Sequence, residues 1–210
     1  MSLEIVALSD LLEEEGYDEN DVQNVLNTFR SIRFTGKEEA HDVEDFIKRN
    51  AILFNKTGIA STHLIFSDYK GKPVLVAYFT IANKDLYISK RNLQKLSKSM
   101  QKKIKQRAQF VEETSVYKMS SFLLGQLGKN FSQEALLSCN INGKDILEEA
   151  FKVALEAKRI VGGSFVWIEY EDTEKLRAIY ESYGFSEIPN YTSPNNLKLA
   201  IKQLKWLYIW

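Results

Sequence analysis

The chain is poor in the residues that build metal centres and cross-links. It has one cysteine, Cys139, and two histidines, His41 and His63, in 210 residues. A single thiol excludes an internal disulfide and any cysteine-based zinc cluster. Two isolated histidines argue against a histidine-rich metal site and read as structural or surface positions. Cys139 has no histidine neighbour in sequence and reads as a small buried apolar residue. Neither sign of charge is in excess, Lys plus Arg and Asp plus Glu being 28 each. No global field draws the chain to nucleic acid or membrane, so any such attraction must be local. The longest apolar run, "VLVAYFTIA" from Val74 to Ala82, is far too short to span a bilayer. The opening "MSLEIVALSDLLEEEG" lacks a basic stretch followed by an apolar one, so a cytoplasmic chain without a secretory leader is expected.

What is present is an ordinary globular composition, 44% hydrophobic and 27% charged, with enough length for a substantial core. "SDLLEEEG" and "DENDVQNVLNTFRSI" each place a polar cap before apolar residues at helical spacing. "HDVEDFIKRNAILFNKTG" repeats that pattern through Val43, Phe46, Ile47, Ala51 and Phe54, with Gly58 as the stop. The period then changes. "STHLIFSDY" and "KPVLVAYFTIANKDLYIS" are β-rich, joined by the turn "YKGKP". Lys90 to Arg107 reads as a basic helix with Leu93, Leu96, Met100 and Ile104 on one stripe, and "VYKMSSFLLGQLGKNF" as a strand.

"GKDILEEAFKVALEAKRIVGG" is a helix with Ile146, Leu147, Ala150, Phe151 and Ala154 inside, ended by Gly162 and Gly163. "SFVWIEYE" has the few polar positions of a central strand. "DTEKLRAIYESYGF" is a helix with Leu176, Ile179, Tyr180 and Tyr183 on one side, and "NNLKLAIKQLKW" alternates as a strand with one solvated face. With no internal repeat or linker, these elements predict one α/β domain over 1–210, with a helical extension at 1–33 and an inserted basic helix at 90–110.

Three segments carry chemistry. "LLGQLGKN" (Leu123–Asn130) is a strand with two glycines; "NINGKDILEEAFKVA" opens a helix at Gly143; "YEDTEKLRAIYESYGF" joins a strand to a helix ending in Tyr, three residues and Phe. In this order they resemble the GNAT superfamily of acyl-CoA N-acyltransferases, from about Phe34 to the C-terminus. The resemblance implies a mixed central sheet and acyl transfer, taken as acetyl, from acetyl-CoA to a primary amine by direct attack in a ternary complex. It implies that the pantetheine arm meets the main chain around Leu127, Gly128 and Lys129, and that the pyrophosphate meets Asn142, Gly143, Lys144 and Asp145.

A helix N-terminus with a glycine suits that second role, because unpaired N–H groups and the helix dipole favour an anion and no Cβ blocks its approach. The family's Gln or Arg, two residues, Gly, one residue, Gly or Ala becomes Ser138, Ile141 and Gly143 here, so only the last position matches. The alternative reading is a plain helix start, with Asp145 complementing the dipole.

Tyr180 matches the family tyrosine that protonates or holds the departing thiolate, a thiol of ordinary pKa about 8.5 leaving more easily when a phenol donates to it. The bland alternative is a ring packed with Leu176 and Ile179. Thr173 stands where the family has Asn, which implies a place in cofactor binding; the alternative is that it only caps the helix. A base must take the amine proton. Glu169 is the candidate, with Glu171 beside it; the alternative is that both point into solvent where the strand emerges.

From Leu86 to Val111 there are eight basic residues and no acidic one. That suits contact with RNA along Lys90 to Arg107, through counterion release, or merely a solvated face. "FTGKEEAHDVEDFIKRNAILFNKTG" resembles the amino-terminal segment of toxin-type GNAT proteins, some of which acetylate aminoacyl-tRNA. The expected partners are thus acetyl-CoA, an amine acceptor, RNA and a second copy of the chain; no metal and no membrane are expected. The competing class is a GNAT-fold binding protein of weak catalysis, acting on nucleic acid or protein through the basic helix.

Overall fold

The computed structural model describes residues 3–13, 18–32, 42–189, 191, 193 and 195–205. His41 and the stretch 33–40 lie outside them. The first half runs β1 (Leu3–Ala7), α1 (Leu8–Glu13), α2 (Glu19–Asn27), α3 (Asp42–Arg49), α4 (Ala51–Lys56), β2 (Ser61–Tyr69), β3 (Lys72–Asn83), β4 (Leu86–Ser89), α5 (Lys90–Leu93) and α6 (Lys98–Lys105). There follow β5 (Gln109–Val111), β6 (Val116–Met119), β7 (Ser121–Lys129), α7 (Gln133–Ser138), α8 (Gly143–Val161), β8 (Phe165–Tyr170), α9 (Glu174–Ser182), β9 (Ser186–Glu187) and β10 (Lys198–Gln203). The chain divides into two compact units, Met1–Ala82 with Gly125–Ala150, and Asn83–Leu124 with Phe151–Trp210. Strand β7 contributes one half to each. Among the described residues no helix is long and apolar enough to cross a membrane.

In the first unit the order is β1-β2-β3 and then the second half of β7. The helical extension expected at 1–33 begins, in its described part, with a strand: "LEIVA" pairs antiparallel with β2, Ile5 opposite Ile65 and Val6 opposite Leu64. Its β-branched pair packs well on a pleated surface, which outweighs the helical pattern that follows it. Helix α2 starts on a capping box in which Asp18 and Asp21 each accept the other's backbone N–H. The single helix expected over 41–58 is two, α3 and α4, because the chain breaks at Asn50 (φ −115°).

Leu8, Leu26, Phe29, Ile47, Leu64 and Tyr78 form this unit's buried core. The β2–β3 turn has Lys70 and Gly71 both at positive φ (56° and 76°), the twist that a two-residue hairpin needs.

In the second unit, β4, β6 and β5 make a small antiparallel sheet. The continuous basic helix expected at 90–110 is two short ones. Ser97 starts the second by accepting the Met100 N–H, and the Gln101 amide fills the break by donating to the Gln94 and Leu96 carbonyls. The apolar stripe survives the break: Leu93, Leu96, Met100 and Ile104 are buried with Leu86, Ile88 and Met119.

The strand expected from Val116 onward is likewise two, parted at Ser120, whose carbonyl accepts from Ser164 N–H. The first half of β7 then runs parallel to β8, Ser121 opposite Phe165 and Leu124 opposite Ile168. Strand β10 pairs antiparallel with both β8 and β9. The sheet is mixed, and β8 lies inside it with Phe165 to Ile168 buried, as its near-continuous apolar run predicts.

Candidate active site

Leu127, Gly128 and Lys129 close β7 in the first unit. Gly128 is tightly surrounded. A Cβ there would fall 2.4 Å from Val43 Cγ1 and 3.0 Å from both Phe29 Cζ and Tyr78 Cε1. Tyr78 is itself pinned by donating its hydroxyl to the Val43 carbonyl. Gly128 therefore has a packing reason to be glycine, whatever its main chain does.

One step earlier the ladder is irregular, the Gln126 N–H going to Thr80 Oγ1 (2.8 Å) rather than to a carbonyl. One step later, Asn130 is buried and saturated. Its Nδ2 donates to the Leu75 carbonyl at 2.7 Å, and its Oδ1 accepts from Arg30 N and Ser132 N, both at 2.9 Å. The strand end is thus held rigidly from both sides, which is what a preorganised array of backbone dipoles requires. Lys129 Nζ stands over the Phe131 ring, 5.5 Å from its centroid.

At the start of α8, also in the first unit, the structure brings Asn142, Lys144 and Asp145 together in a capping box. Asn142 Oδ1 accepts from Lys144 N (2.8 Å) and Asp145 N (3.3 Å), and Asp145 Oδ2 accepts from Asn142 N (2.8 Å). Three of the N–H groups that a pyrophosphate would use are occupied by the chain's own side chains. Gly143 is the opposite of Gly128: among the described residues, apart from its chain neighbours and its own helix backbone, nothing lies within 4 Å of the position its Cβ would take. Its lack of a side chain answers no packing demand. Upstream, Ile141 and Ser138 are buried, Ser138 Oγ donating to the Ala135 carbonyl. Cys139 is partly exposed as the cap of α7, not buried as expected, because α7 ends in extended backbone at that residue.

In the second unit, Thr173 caps α9 by accepting the Leu176 N–H. Tyr180 lies on the same helix. Its ring meets Tyr170 (centroids 5.0 Å apart) and, edge-on, Phe185 (5.8 Å). It keeps some accessible surface, yet burial pushes its phenol up to about 12. It therefore carries its proton at any physiological pH and acts as a donor. Among the described residues its hydroxyl has no hydrogen-bond partner.

Glu169 stands on β8 opposite Leu199, partly exposed, and Glu171 is exposed just beyond the strand. Around Tyr170 lies a network that the sequence reading missed. Tyr170 donates to Glu187 Oε2 (2.8 Å), Arg177 Nε is 3.3 Å from the same oxygen, Arg177 also pairs with Asp172, and Lys198 reaches Asp172 at 3.4 Å. The one available hint was an Asp and an Arg five residues apart flanking a helix start.

The basic stretch also lies in the second unit. Among the described residues none of Lys90, Arg91, Lys95, Lys98, Lys102, Lys103 or Lys105 is in an ion pair, whereas Lys118 nearby pairs with Asp85. Also among the described residues, no group of three His, Cys, Asp or Glu is placed to hold a metal.

No family model matches the sequence, and a search of curated proteins returns no match. Solved structures do match. A tyrosine-to-phenylalanine mutant of KacT aligns over 97% of this chain and 96% of its own, with a TM-score of 0.61 and 20% identity. AtaT complexed with acetyl-methionyl-tRNAfMet aligns over 96% and 95%, with a TM-score of 0.59 and 20% identity. AtaTR bound with acetyl-CoA gives 96%, 93%, 0.56 and 18%. The first two of these toxins are GNAT-fold acetyltransferases. The chain has the GNAT fold. At such identities the likeness is one of fold, and it spans nearly the whole of both chains. Within the GNAT fold the three segments that carried the sequence resemblance are β7, the start of α8, and β8 with α9.

Proposed function

We propose that the chain is a GNAT-type N-acyltransferase that moves an acetyl group from acetyl-CoA to a primary amine. The thioester supplies an activated acyl group, and the amine nitrogen attacks its carbonyl carbon as the C–S bond breaks. Main-chain groups of Leu127, Gly128 and Lys129 bind the pantetheine arm. Gly143 N–H and the Lys144 charge hold the pyrophosphate beside Asn142 and Asp145, and Thr173 keeps α9 capped. Tyr180 donates its phenolic proton to the departing sulfur, and Glu169 takes the proton the amine loses. The observation that carries this reading is Tyr180: a phenol kept protonated by burial, with no hydrogen-bond partner among the described residues, on the helix that the GNAT resemblance singles out. KacT and AtaT, the latter solved with acetyl-CoA and with acetyl-methionyl-tRNAfMet, support acetyl-CoA as donor and make a charged tRNA one acceptor to try.

A thermal-shift titration tests the donor, since a ligand that binds only the folded chain raises Tm with its concentration. No shift at millimolar acetyl-CoA refutes the enzyme reading. Thiol release with a panel of amines, peptides and charged tRNAs identifies the acceptor. Tyr180→Phe lowers turnover roughly 10²-fold or more while leaving acetyl-CoA affinity nearly intact; unchanged turnover makes Tyr180 a packing residue.

A second reading is a nucleic-acid-binding protein of weak catalysis. It is favoured by the closed capping box at Asn142–Asp145 and by the cations of α5 and α6, which have no ion-pair partner among the described residues. Replacing Lys102, Lys103 and Lys105 with Glu then abolishes salt-dependent RNA binding in a filter assay, while acetyl-CoA produces no thermal shift.

A further inference from the structure

Tyr180 is not held by its own hydroxyl. Its carbonyl accepts from Tyr183 N and Phe185 N, at 3.1 and 3.0 Å, which fixes the backbone at the end of α9. That leaves the ring, which among the described residues has two aromatic neighbours. Phe185 meets it edge-on at an interplanar angle of 73°, and Tyr170 meets it at 55° with centroids 5.0 Å apart. The two neighbours differ in kind. Both are buried, but the Phe185 side chain has no hydrogen-bonding group, whereas Tyr170 is anchored at its far end through its bond to Glu187 Oε2. That oxygen is shared with Arg177, three residues before Tyr180 on the same helix, and Arg177 continues through Asp172 to Lys198 on β10. Swinging the Tyr170 ring aside about its Cα–Cβ bond breaks a hydrogen bond to a carboxylate, a class stronger than neutral ones. A rotation of the Tyr180 ring towards Tyr170 meets that anchored wall.

We propose that Tyr170 is a positioning residue for Tyr180, its ring fixing the orientation of the Tyr180 phenol and its bond to Glu187 fixing the ring. The inference rests on Tyr180 serving the thiolate. Burial also pushes the Tyr170 phenol up, with the Glu187 bond adding to it, so Tyr170 stays the donor in that bond at any working pH. The role differs from general support of the fold. It predicts an effect that passes through the Tyr180 hydroxyl alone.

The test is a double-mutant cycle on the full chain, following thiol release from acetyl-CoA with glycinamide as the amine. Tyr170→Leu removes the wall, Tyr170→Phe keeps the ring but frees its far end, and Glu187→Gln keeps an acceptor without its charge. The last two retain the packing should Tyr170→Leu fold poorly. The expected result is a fall in kcat of roughly ten- to a hundredfold for Tyr170→Leu, the scale of a misplaced reacting group, and a smaller fall for the other two. KM for acetyl-CoA stays within about twofold, because a positioning loss acts on the transition state. All three effects disappear in a Tyr180→Phe background.

Equal falls in both backgrounds, or a KM that rises with unchanged kcat, overturn the inference while leaving the role of Tyr180 standing. If Tyr180→Phe alone changes nothing, or the intact chain releases no thiol with glycinamide or with any amine, peptide or charged tRNA of the panel, the reading of Tyr180 fails and the inference with it.

Discussion

Replacing Gly128 with alanine separates packing from ligand binding at the end of β7. The added Cβ would lie 2.4 Å from Val43 Cγ1 and 3.0 Å from Phe29 Cζ and Tyr78 Cε1. Carbon atoms settle at about 3.5–4.0 Å, so the Val43 methyl must retreat by more than an ångström. Val43 is partly exposed on α3 and can turn. Phe29 and Tyr78 cannot: both are 0% exposed, they meet edge-on with centroids 5.1 Å apart, and Tyr78 is tied to the Val43 carbonyl. Overpacking of this kind costs about 1–3 kcal/mol. For a chain of this size that lowers Tm by roughly 2–12 °C.

Gly143→Ala is the matched control. Its Cβ meets nothing within 4 Å and its φ is not positive, so the substitution leaves stability unchanged or raises it by up to about 1 kcal/mol. Far-UV circular dichroism through thermal and urea unfolding measures both, and titration of each variant with acetyl-CoA reports binding. The expected pattern is crossed: Gly128→Ala loses stability, and Gly143→Ala keeps stability but binds acetyl-CoA more weakly. A Gly128→Ala chain as stable as the original refutes the packing account. A Gly143→Ala chain with undiminished affinity removes the pyrophosphate from α8.

Glu44 gives a pH prediction. Burial raises its carboxyl, but the Lys48 ammonium and the N–H and hydroxyl of Ser31 outweigh that and hold it below its ordinary 4.5. A carboxyl lowered by folding adds stability that is complete above its unfolded pKa and is lost as pH falls through the folded one. The stability gap between the intact chain and Glu44→Gln, from urea unfolding, is therefore constant near neutrality and closes below about pH 4.5; a gap that persists at pH 2 refutes it. Lys202 is the other case. Its Nζ is 4.0 Å from the Phe151 ring centre and 5.5 Å from that of Tyr183, the two rings lying within 4° of parallel. Lys202→Met keeps the stem and loses the charge, and destabilises by about 0.5–2 kcal/mol if the rings hold the cation. A more stable Lys202→Met means that the cost of burying the ammonium is the larger effect.

The sequence was most informative where one period ran without interruption. The inner face of α8 and the capped α9 follow directly from residue spacing, and the buried run of β8 from its composition. It misled where short polar residues break a pattern. Asn50 and Ser97 each divide what reads as one helix, Ser97 by offering its hydroxyl to the backbone in place of helical continuation. Strand β1 was missed because five residues carry too little pattern to compete with the helical stretch behind them, and their partner β2 lies some sixty positions away.

At the candidate site the sequence located glycines but not their reasons. The space a Cβ would need at Gly128, given by the resemblance as part of the pantetheine-binding strand end, is filled by Val43, Phe29 and Tyr78, which are remote in sequence. Gly143, expected to be open, has no described neighbour beyond its own helix and adjoining residues within 4 Å. The Asn142–Asp145 capping box was legible in part, since Asp145 was already the dipole-complementing residue of the plain-helix reading.

The saturated Asn130 side chain bears on the order in which the first unit assembles. Its Oδ1 accepts from Arg30, a hundred positions away, while the Phe131 N–H donates to the Arg30 carbonyl. Neither bond can form before the end of β7 is in place beside Val76 and Leu75, so the segment after α2 docks onto a surface that the chain builds much later in its length. During synthesis Tyr78 can cover one side of the Phe29 ring early, but the Cζ edge that Gly128 meets stays open until the end of β7 is made. Between making residue 30 and making residue 130 that apolar edge is therefore available for wrong contacts, and the closing strand end removes it.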